Sequence, residues 1–432
     1  MSEGVTVVTG RRRQAALSFI FVVALLDVIS LGIMIPVLPN LIKEFTGGDT
    51  ASASAVNVLF ASAWGVMQFF GAPVMGLLSD RYGRRPVLLI SVFSFGLDFL
   101  FMALAPTLAW LFVGRVINGF CAASFATAGA YIADVTPPDD RAKAFGLLGA
   151  AFGFGFLVGP ALGGVLAEST LFGLLDEPSL RTPFFVAAAL CLLNGLYGLF
   201  VLPESLPRER RAKRWDWSRA NPLGSLKLLR SRSGLGGLAG VYFLFQIAHN
   251  VLPSIFILYA GYRYGWSPAT VGFTMVLTGL CSIVVQALLV GPAVKRLGER
   301  GALLLGLSAG VVGFAWFGLA PTGLIYLLAA PVFALSGLIG PGLQGLMTRR
   351  VGSAEQGQLQ GANSMMMGVA NIIGPPLFGL TFAWTVREGS PLPMPGLAIL
   401  ISAGLVFAAL LLAVRVARPV HASLTASSSA AP

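Results

Sequence analysis

The chain has 432 residues, 56% of them hydrophobic and only 11% charged, with a mean hydropathy of +0.81. Soluble domains carry about 25% charged residues, so this is a polytopic membrane protein with no room for a large soluble domain. The three cysteines, Cys121, Cys191 and Cys281, all lie in apolar runs, which argues against a disulfide framework, and two histidines without an HExxH or Cys/His cluster argue against an intrinsic metal site.

Twelve apolar stretches are long enough to cross about 30 Å of hydrocarbon at 1.5 Å per residue. They lie near residues 17–39, 54–77, 86–105, 107–130, 143–167, 183–202, 236–260, 268–292, 301–320, 323–347, 358–384 and 393–417. The first follows Arg11, Arg12 and Arg13 as a secretory signal would, but Asp27 interrupts its apolar run and no small-residue cleavage site follows closely. It reads as an uncleaved span. Asp27 costs roughly 2.5–3.5 kcal/mol at mid-membrane, so it needs a job.

Between the second and third stretches stands "GLLSDRYGRRPVLLI", beginning at Gly76. Gly76 removes a side chain where helices approach, Gly83 permits a turn with positive φ, and Asp80 faces Arg81, Arg84 and Arg85 as charge-assisted partners. Positive-inside anchoring alone requires neither the acid nor the spaced glycines, so the loop is a candidate gate on the cytoplasmic side. Asp98 in the third stretch and Arg115 in the fourth, within "GRVING", are the other charges well inside a span, while Asp134 sits near an end. Asp27, Asp98 and Arg115 are thus the candidates to neutralise one another and to mark a proton path. The fifth stretch carries Gly149, Gly153, Gly155, Gly159, Gly163 and Gly164 as a surface for close helix contact, and Pro160 is expected to bend it.

The long polar segment 203–235 divides the chain into two groups of six stretches. With the N-terminus inside, 24 of the 29 Lys and Arg fall on the inner side, nine of them in this segment, and only Lys43, Arg181, Arg263 and Arg387 fall outside. The positive-inside rule then places both termini in the cytoplasm and explains the net charge of +11 without nucleic acid; the basic surface meets anionic lipid. The halves repeat. "GPAVKRLGERGALLL" begins at Gly291, so that Gly76/Gly291, Arg81/Arg296, Gly83/Gly298 and Arg85/Arg300 are each separated by 215 residues, as are "GPALGG" at Gly159 and "GPPLFG" at Gly374. Repeated six-helix halves suit an alternating-access transporter with its site between them.

The second half has no acid inside a span. Its span-depth polar groups are Gln246, His249, Asn250, Ser282, Gln286, Gln344, Asn363 and Asn371, and with Gln68 and Asn118 they are the candidates to line a substrate cavity. His249 is the titratable one, one turn before Pro253. Met365, Met366 and Met367 with Phe69 and Phe70 offer a deformable apolar wall, although lipid-facing packing is an equal reading.

"GLLSDRYGRRPVLLIS", "LLDVISLGIMIPVLP", "LDFLFMAL", "LFVGRVINGF", "GAAFGFGFLVGPALGG", "LPES" and "GQLQGANSMMMGVANIIGPPLF" resemble, in order and spacing, the major facilitator superfamily and within it the bacterial tetracycline/proton antiporters. The resemblance implies an all-α fold of 12 transmembrane helices in two pseudo-symmetric six-helix bundles: residues 1–202 and 236–417, a basic cytoplasmic linker 203–235, and a disordered cytoplasmic tail 418–432. It implies that the loop at Gly76–Arg85 latches the inner side, with a degenerate second copy where Lys295 and Glu299 replace the acid and an arginine. It also implies that Gly155, Gly159, Pro160, Gly163 and Gly164 form an antiporter motif that favours exchange over leak. The resembled antiporters have a histidine in the eighth span and an aspartate in the ninth, where this chain has Ser282 and Gly310.

These features point to a transporter and away from an enzyme, for no nucleophile–base pair or phosphate loop appears. The expected function is proton-coupled export of tetracycline-like or other amphipathic compounds, metal chelates included, by a monomer in a bacterial inner membrane, powered by the proton gradient without a cofactor. A carboxyl at Asp27 that is protonated facing out and ionised facing in would carry a proton inward, and each such proton releases about 2.3 kcal/mol per 100 mV. The alternative is proton-coupled movement of an unrelated metabolite on the same fold, and a third class is a non-transporting receptor on that scaffold.

Overall fold

The computed structural model describes residues 10–121, 124–136, 141–170, 177–211, 229, 234–351 and 355–417, and every regular element among them is helical. The expected tail, 418–432, and most of the expected linker, 212–228 and 230–233, lie outside the described residues. In lipid every backbone amide must be satisfied within its own segment, which is why apolar runs of this length become helices.

The first half consists of Gly10–Met34 continued by Leu38–Phe45, then Thr50–Tyr82, Arg84–Leu104, Leu108–Cys121 with Ser124–Val135, Arg141–Ala167 and Thr182–Val201. These are the first six spans. The seventh is Leu235–His249 with Val251–Tyr264, and the eighth is Pro268–Val284 continued by the π-helical turn Val285–Leu289. Val290–Leu319 completes the eighth and forms the ninth, because Gly298 breaks it with φ 69° and ψ 172°. The helical stretch Pro268–Leu319, 52 residues long, would be more than twice the hydrocarbon thickness if straight, so it holds two crossings. The tenth span is Gly323–Leu328, Ala330–Ala334, the 3₁₀ turn Leu335–Leu338 and Ile339–Thr348; the last two are Gln356–Val386 and Leu397–Val416. Each of the twelve expected stretches therefore contains a helix, and the first, seventh and tenth are interrupted by short turns.

Hydropathy misses the interruptions. Pro253 lacks the amide that would bond to the carbonyl of His249, so the seventh span stops at His249 and restarts at Val251. The first span breaks at residues 35–37, beside Pro36, and Ile35 is 215 residues before Asn250. The repeat extends to side-chain contacts. Gly83 has φ 108° and Gly298 φ 69°. Arg85 donates to the carbonyl of Leu199 at the end of the sixth span, and Arg300 donates to that of Val414 in the twelfth, again 215 residues on. Each guanidinium meets the negative end of a helix dipole.

The halves meet along two seams, the fifth span against the eighth and the second against the eleventh. One apolar core joins both halves at the face away from the Gly76–Arg85 loop, through Ile33, Phe184, Ile255, Tyr259 and Phe382, and in the second half it continues to the opposite ends of the spans, at Leu235, Leu346 and Ala417. Near that loop the first half has its own small clusters, Val23, Leu88, Val92, Ala128, Tyr131, Ile132 and Leu202 in one and Met75 with Val87 in the other. The bundle is sealed at one face, and the halves part toward the other.

The second span begins with a side-chain cap at the sealed face: the Asp49 carboxylate accepts from the amides of Ala51 (3.2 Å) and Ser52 (2.8 Å). Hydrogen bonds from Ser52 hold this carboxyl below the usual carboxylate range. A lowered folded-state value means its stabilisation is complete above the ordinary carboxyl range and is lost as the pH falls through the lowered value. Asp49→Ala is expected to cost about 1 kcal/mol at neutral pH. Thermal unfolding monitored by size-exclusion fluorescence should show the difference from wild type narrowing below about pH 4.

Candidate functional site

Glycines set the rotation of the first span. A methyl group on Gly155 would lie 2.7 Å from Cγ1 of Val28, one on Gly159 would lie 2.7 Å from Cα of Gly32, and one on Gly163 would run into the backbone of Ile33. These glycines recur every fourth residue and present one face of the fifth span to Val28–Ile33 of the first. Gly164 turns the other way, 2.7 Å by the same measure from Cα of Ala269 in the eighth span, and the helix runs unbroken through Pro160. Gly149 and Gly153 do not belong to this surface, for a methyl group on either would meet nothing within 4 Å. They lie beyond the point where the halves part.

With Val28, Ile29, Gly32 and Ile33 against the fifth span, Asp27 is turned toward the sixth. Its Oδ1 accepts from Nδ2 of Asn194 at 3.0 Å, and the residue is 4% exposed. Asp98 is equally buried, and a methyl on Gly114 would lie 2.7 Å from its Oδ1, so the glycine of "GRVING" admits the carboxyl beside the fourth span. Neither oxygen of Asp98 makes a hydrogen bond of good geometry, and the Asn118 side chain acts on it as a donor from the fourth span. Arg115 lies over the ring of Trp64, 5.6 Å from its centroid, and Nη1 donates to Sδ of Met34 at 3.4 Å. The expected mutual neutralisation is corrected in this respect: Arg115 acts on Asp98 through space, whereas the direct partner of Asp27 is an amide.

The Gly76–Arg85 loop forms a charge network inside the first half. Arg84 pairs with Asp80 and, through Nε, with Asp134 at 3.2 Å, and its Nη1 donates to Oγ of Ser79 at 3.0 Å. Glu204, from "LPES", accepts from the backbone amide of Arg84 at 2.9 Å and pairs with Arg211 at 3.4 Å. Gly83 is required here twice over, by its positive φ and by Glu204 and Arg211 crowding where a side chain would stand. Arg81 lies over the ring of Tyr82. Gly76 departs from expectation, since a methyl group on it would meet nothing within 4 Å; it lies on the parted side. In the second copy Glu299 pairs with Arg349 at 2.8 Å.

Of the cavity candidates, Asn118 and Asn363 are buried and occupied. Asn118 accepts from Nε1 of Trp64 at 2.8 Å, and Asn363 donates to Gln344 at 3.2 Å. Asn250 ties the break in the seventh span to the carbonyl of Gln246 (2.9 Å) and to Asn371 of the eleventh (3.1 Å). Three groups are open. His249 is exposed, its ring stacked on Phe333 at 6.3 Å and tilted on Phe245 at 5.6 Å. Ser282 and Gln286 are exposed on the eighth span, and Gln286 lies in the π-helical turn, a feature frequent at functional sites. Gln68 is half-buried on the second span. Among the described residues no group of His, Cys, Asp and Glu is arranged to hold a metal ion. Asn194 was not a sequence candidate; it is a polar group at span depth, and only its position against Asp27 distinguishes it.

The sequence matches the Major Facilitator Superfamily over residues 20–375 and 238–431. It is 37% identical to the class C tetracycline resistance protein of Escherichia coli over 383 residues, 88% of this chain and 91% of that protein. It is 35% identical to the class G protein of Vibrio anguillarum over 381 residues, 88% and 92% of the two chains. In fold it resembles the nucleoside transporter NupG, with a TM-score of 0.72, 16% identity and coverage of 94% and 99%. A D-xylose–proton symporter gives 0.70 at 19% identity, with coverage of 92% and 97%.

Because the glycine contact sets the rotation of the first span, Gly159→Val is expected to destabilise by about 1–3 kcal/mol through overpacking. Thermal denaturation of the purified variant should show the loss, and Gly153→Val, in open space, should leave the midpoint within error of wild type.

Proposed function

The chain belongs to the Major Facilitator Superfamily, and on that premise we propose that it is a proton-coupled exporter of tetracycline-like or other amphipathic compounds, working by alternating access. It is a multi-pass membrane transporter rather than an enzyme. The carrying observation is the placement of two membrane-buried carboxyls, Asp27 and Asp98, in one half of a two-half bundle sealed at a single face. Such groups are expensive and mark ion pathways.

In this reading the membrane is a bacterial inner membrane with both termini in the cytoplasm, and the parted face, which bears the arginine-rich loop, opens inward. Solute enters between the halves past Gln68, His249, Ser282 and Gln286. Proton binding at Asp27 and Asp98 is linked to exchange of the seal at one face for a seal at the other. The charge network of Asp80, Arg84, Asp134 and Glu204 keeps the first half rigid as it moves. The tetracycline resistance relatives support a drug as solute. Ser282 and Gly310 stand where those antiporters have titratable groups, so coupling rests on the first half.

Expression in an efflux-deficient bacterial host should raise the inhibitory concentration of tetracycline or of another amphipathic drug in a panel, and Asp27→Asn should return it to the vector level. Drug added to acidified everted vesicles should release protons with wild type and not with Asp27→Asn. Resistance that survives the substitution with proton release intact would overturn the reading. Ser54 donates to the carbonyl of Gly379 at 2.8 Å across the sealed face. A Ser54→Cys, Gly379→Cys pair, with Val58→Ala to clear the side chain that a Cβ at 379 would meet and the native cysteines replaced by alanine, is therefore expected to arrest transport when oxidised and to recover it on reduction; transport that continues with the bridge formed would argue against alternating access.

A further inference from the structure

Asn194 lies on the sixth span, 1% exposed, and both N–H bonds of its amide point to the first span. One meets the backbone carbonyl of Val23 and the other meets Oδ1 of Asp27, each at 3.0 Å. The Val23 carbonyl accepts only, so it fixes which end of the amide faces Asp27. The consequence is a buried Oδ1 on Asn194 with no partner. An orphaned buried acceptor costs about 1–3 kcal/mol. An apolar side chain would carry no such cost, so packing alone does not account for an amide here.

We propose that Asn194 is the positioning residue of the coupling carboxyl: it holds Asp27 turned toward the sixth span and makes the grip between the first and sixth spans depend on whether Asp27 carries its proton. The inference rests on the reading of Asp27 as the coupling group. A hydrogen bond to an ionised carboxylate is roughly twice as strong as one to a neutral acid. Arrival of a proton therefore loosens the first span from the sixth, while the glycines of the fifth hold its opposite face. The fifth span in turn abuts the eighth across the seam between the halves, at Glu168, whose Oε1 accepts from the amide of Ala269 at 2.9 Å. A change at Asp27 thus has a mechanical route to the second half that does not pass through Arg115.

Few charges compete for Asp27. Cys191, one turn before Asn194, is within electrostatic reach of both Asp27 and Asp98. On the third span the group is Asp98, and on the fourth it is Arg115, followed by Tyr131 and Asp134 toward the loop end. The fifth span has no titratable residue between 149 and 167.

The test reads the proton on Asp27 directly. Infrared difference spectra of the purified full-length protein in lipid nanodiscs, recorded across pH, should contain a carboxyl band that disappears in Asp27→Asn. In Asn194→Leu the midpoint of that band is expected to move upward by about one pH unit, because one charge-assisted donor is lost. Asn194→Ser, which keeps a donor, should move it less. A midpoint unmoved in Asn194→Leu overturns the proposal, as does the absence of any titrating band assignable to Asp27. If the leucine variant does not survive purification, Asn194→Ala, which also removes the donor, decides by the same criterion. No drug or gradient enters this measurement, so failure of the exporter reading would appear in the susceptibility and vesicle assays and not here.

Discussion

The contact between the fifth and first spans is the constraint on which the rest of the candidate site depends. Gly155, Gly159 and Gly163 let the backbone of the fifth span approach Val28, Gly32 and Ile33 closely enough that no side chain fits between. Helices in lipid gain little from apolar burial, since the lipid tails are themselves apolar, so close packing of small residues decides how they associate. Once that face of the first span is committed, Asp27 is committed as well: it projects away from the fifth span and into the sixth, where Asn194 waits.

The two halves share a plan and differ in chemistry. Turns at Gly83 and Gly298, arginine contacts to the ends of the sixth and twelfth spans, and breaks in the first and seventh spans all recur at the same separation. The first half holds the membrane-buried charges and buried polar atoms without partners, among them Nε of Arg115 and Oδ1 of Asn194. The second half holds amides that bond to one another, an exposed histidine between aromatic rings and a π-helical turn. A division of labour follows, with proton handling in one bundle and a more adaptable solute surface in the other. Intramembrane charges are tolerated where their cost is offset by function, and here they concentrate in the half that has the means to orient them.

The seam between the halves shows how such a division is transmitted. At the sealed face Ser54 reaches the backbone of Gly379, Asn57 reaches that of Ser254 at 3.2 Å, and Glu168 accepts from Ala269. These are hydrogen bonds to backbone atoms in narrow, glycine-lined contacts, which are made or lost as units when rigid bundles rock. Toward the other face Gly76, Gly149, Gly153 and Gly291 have open space around them. Small residues there leave room for a second close packing when the first is released.

Much of this was legible in the amino-acid sequence. The twelve crossings, the repeat at 215 residues and the expense of Asp27, Asp98 and Arg115 follow from hydropathy, spacing and charge, because a bilayer imposes nearly the same demand on every span wherever it lies in the fold. Partnership was decided only by tertiary structure. Asn194 and Asp27 are 167 residues apart, and their meeting depends on the rotation of two helices, which a third helix sets. The same holds for Asn118, which reads as a cavity residue and is held by Trp64, and for Glu204, which falls at the start of the expected linker and secures the turn at Gly83. Depth in the membrane is a property of each segment alone, whereas the face a residue presents is a property of the whole bundle.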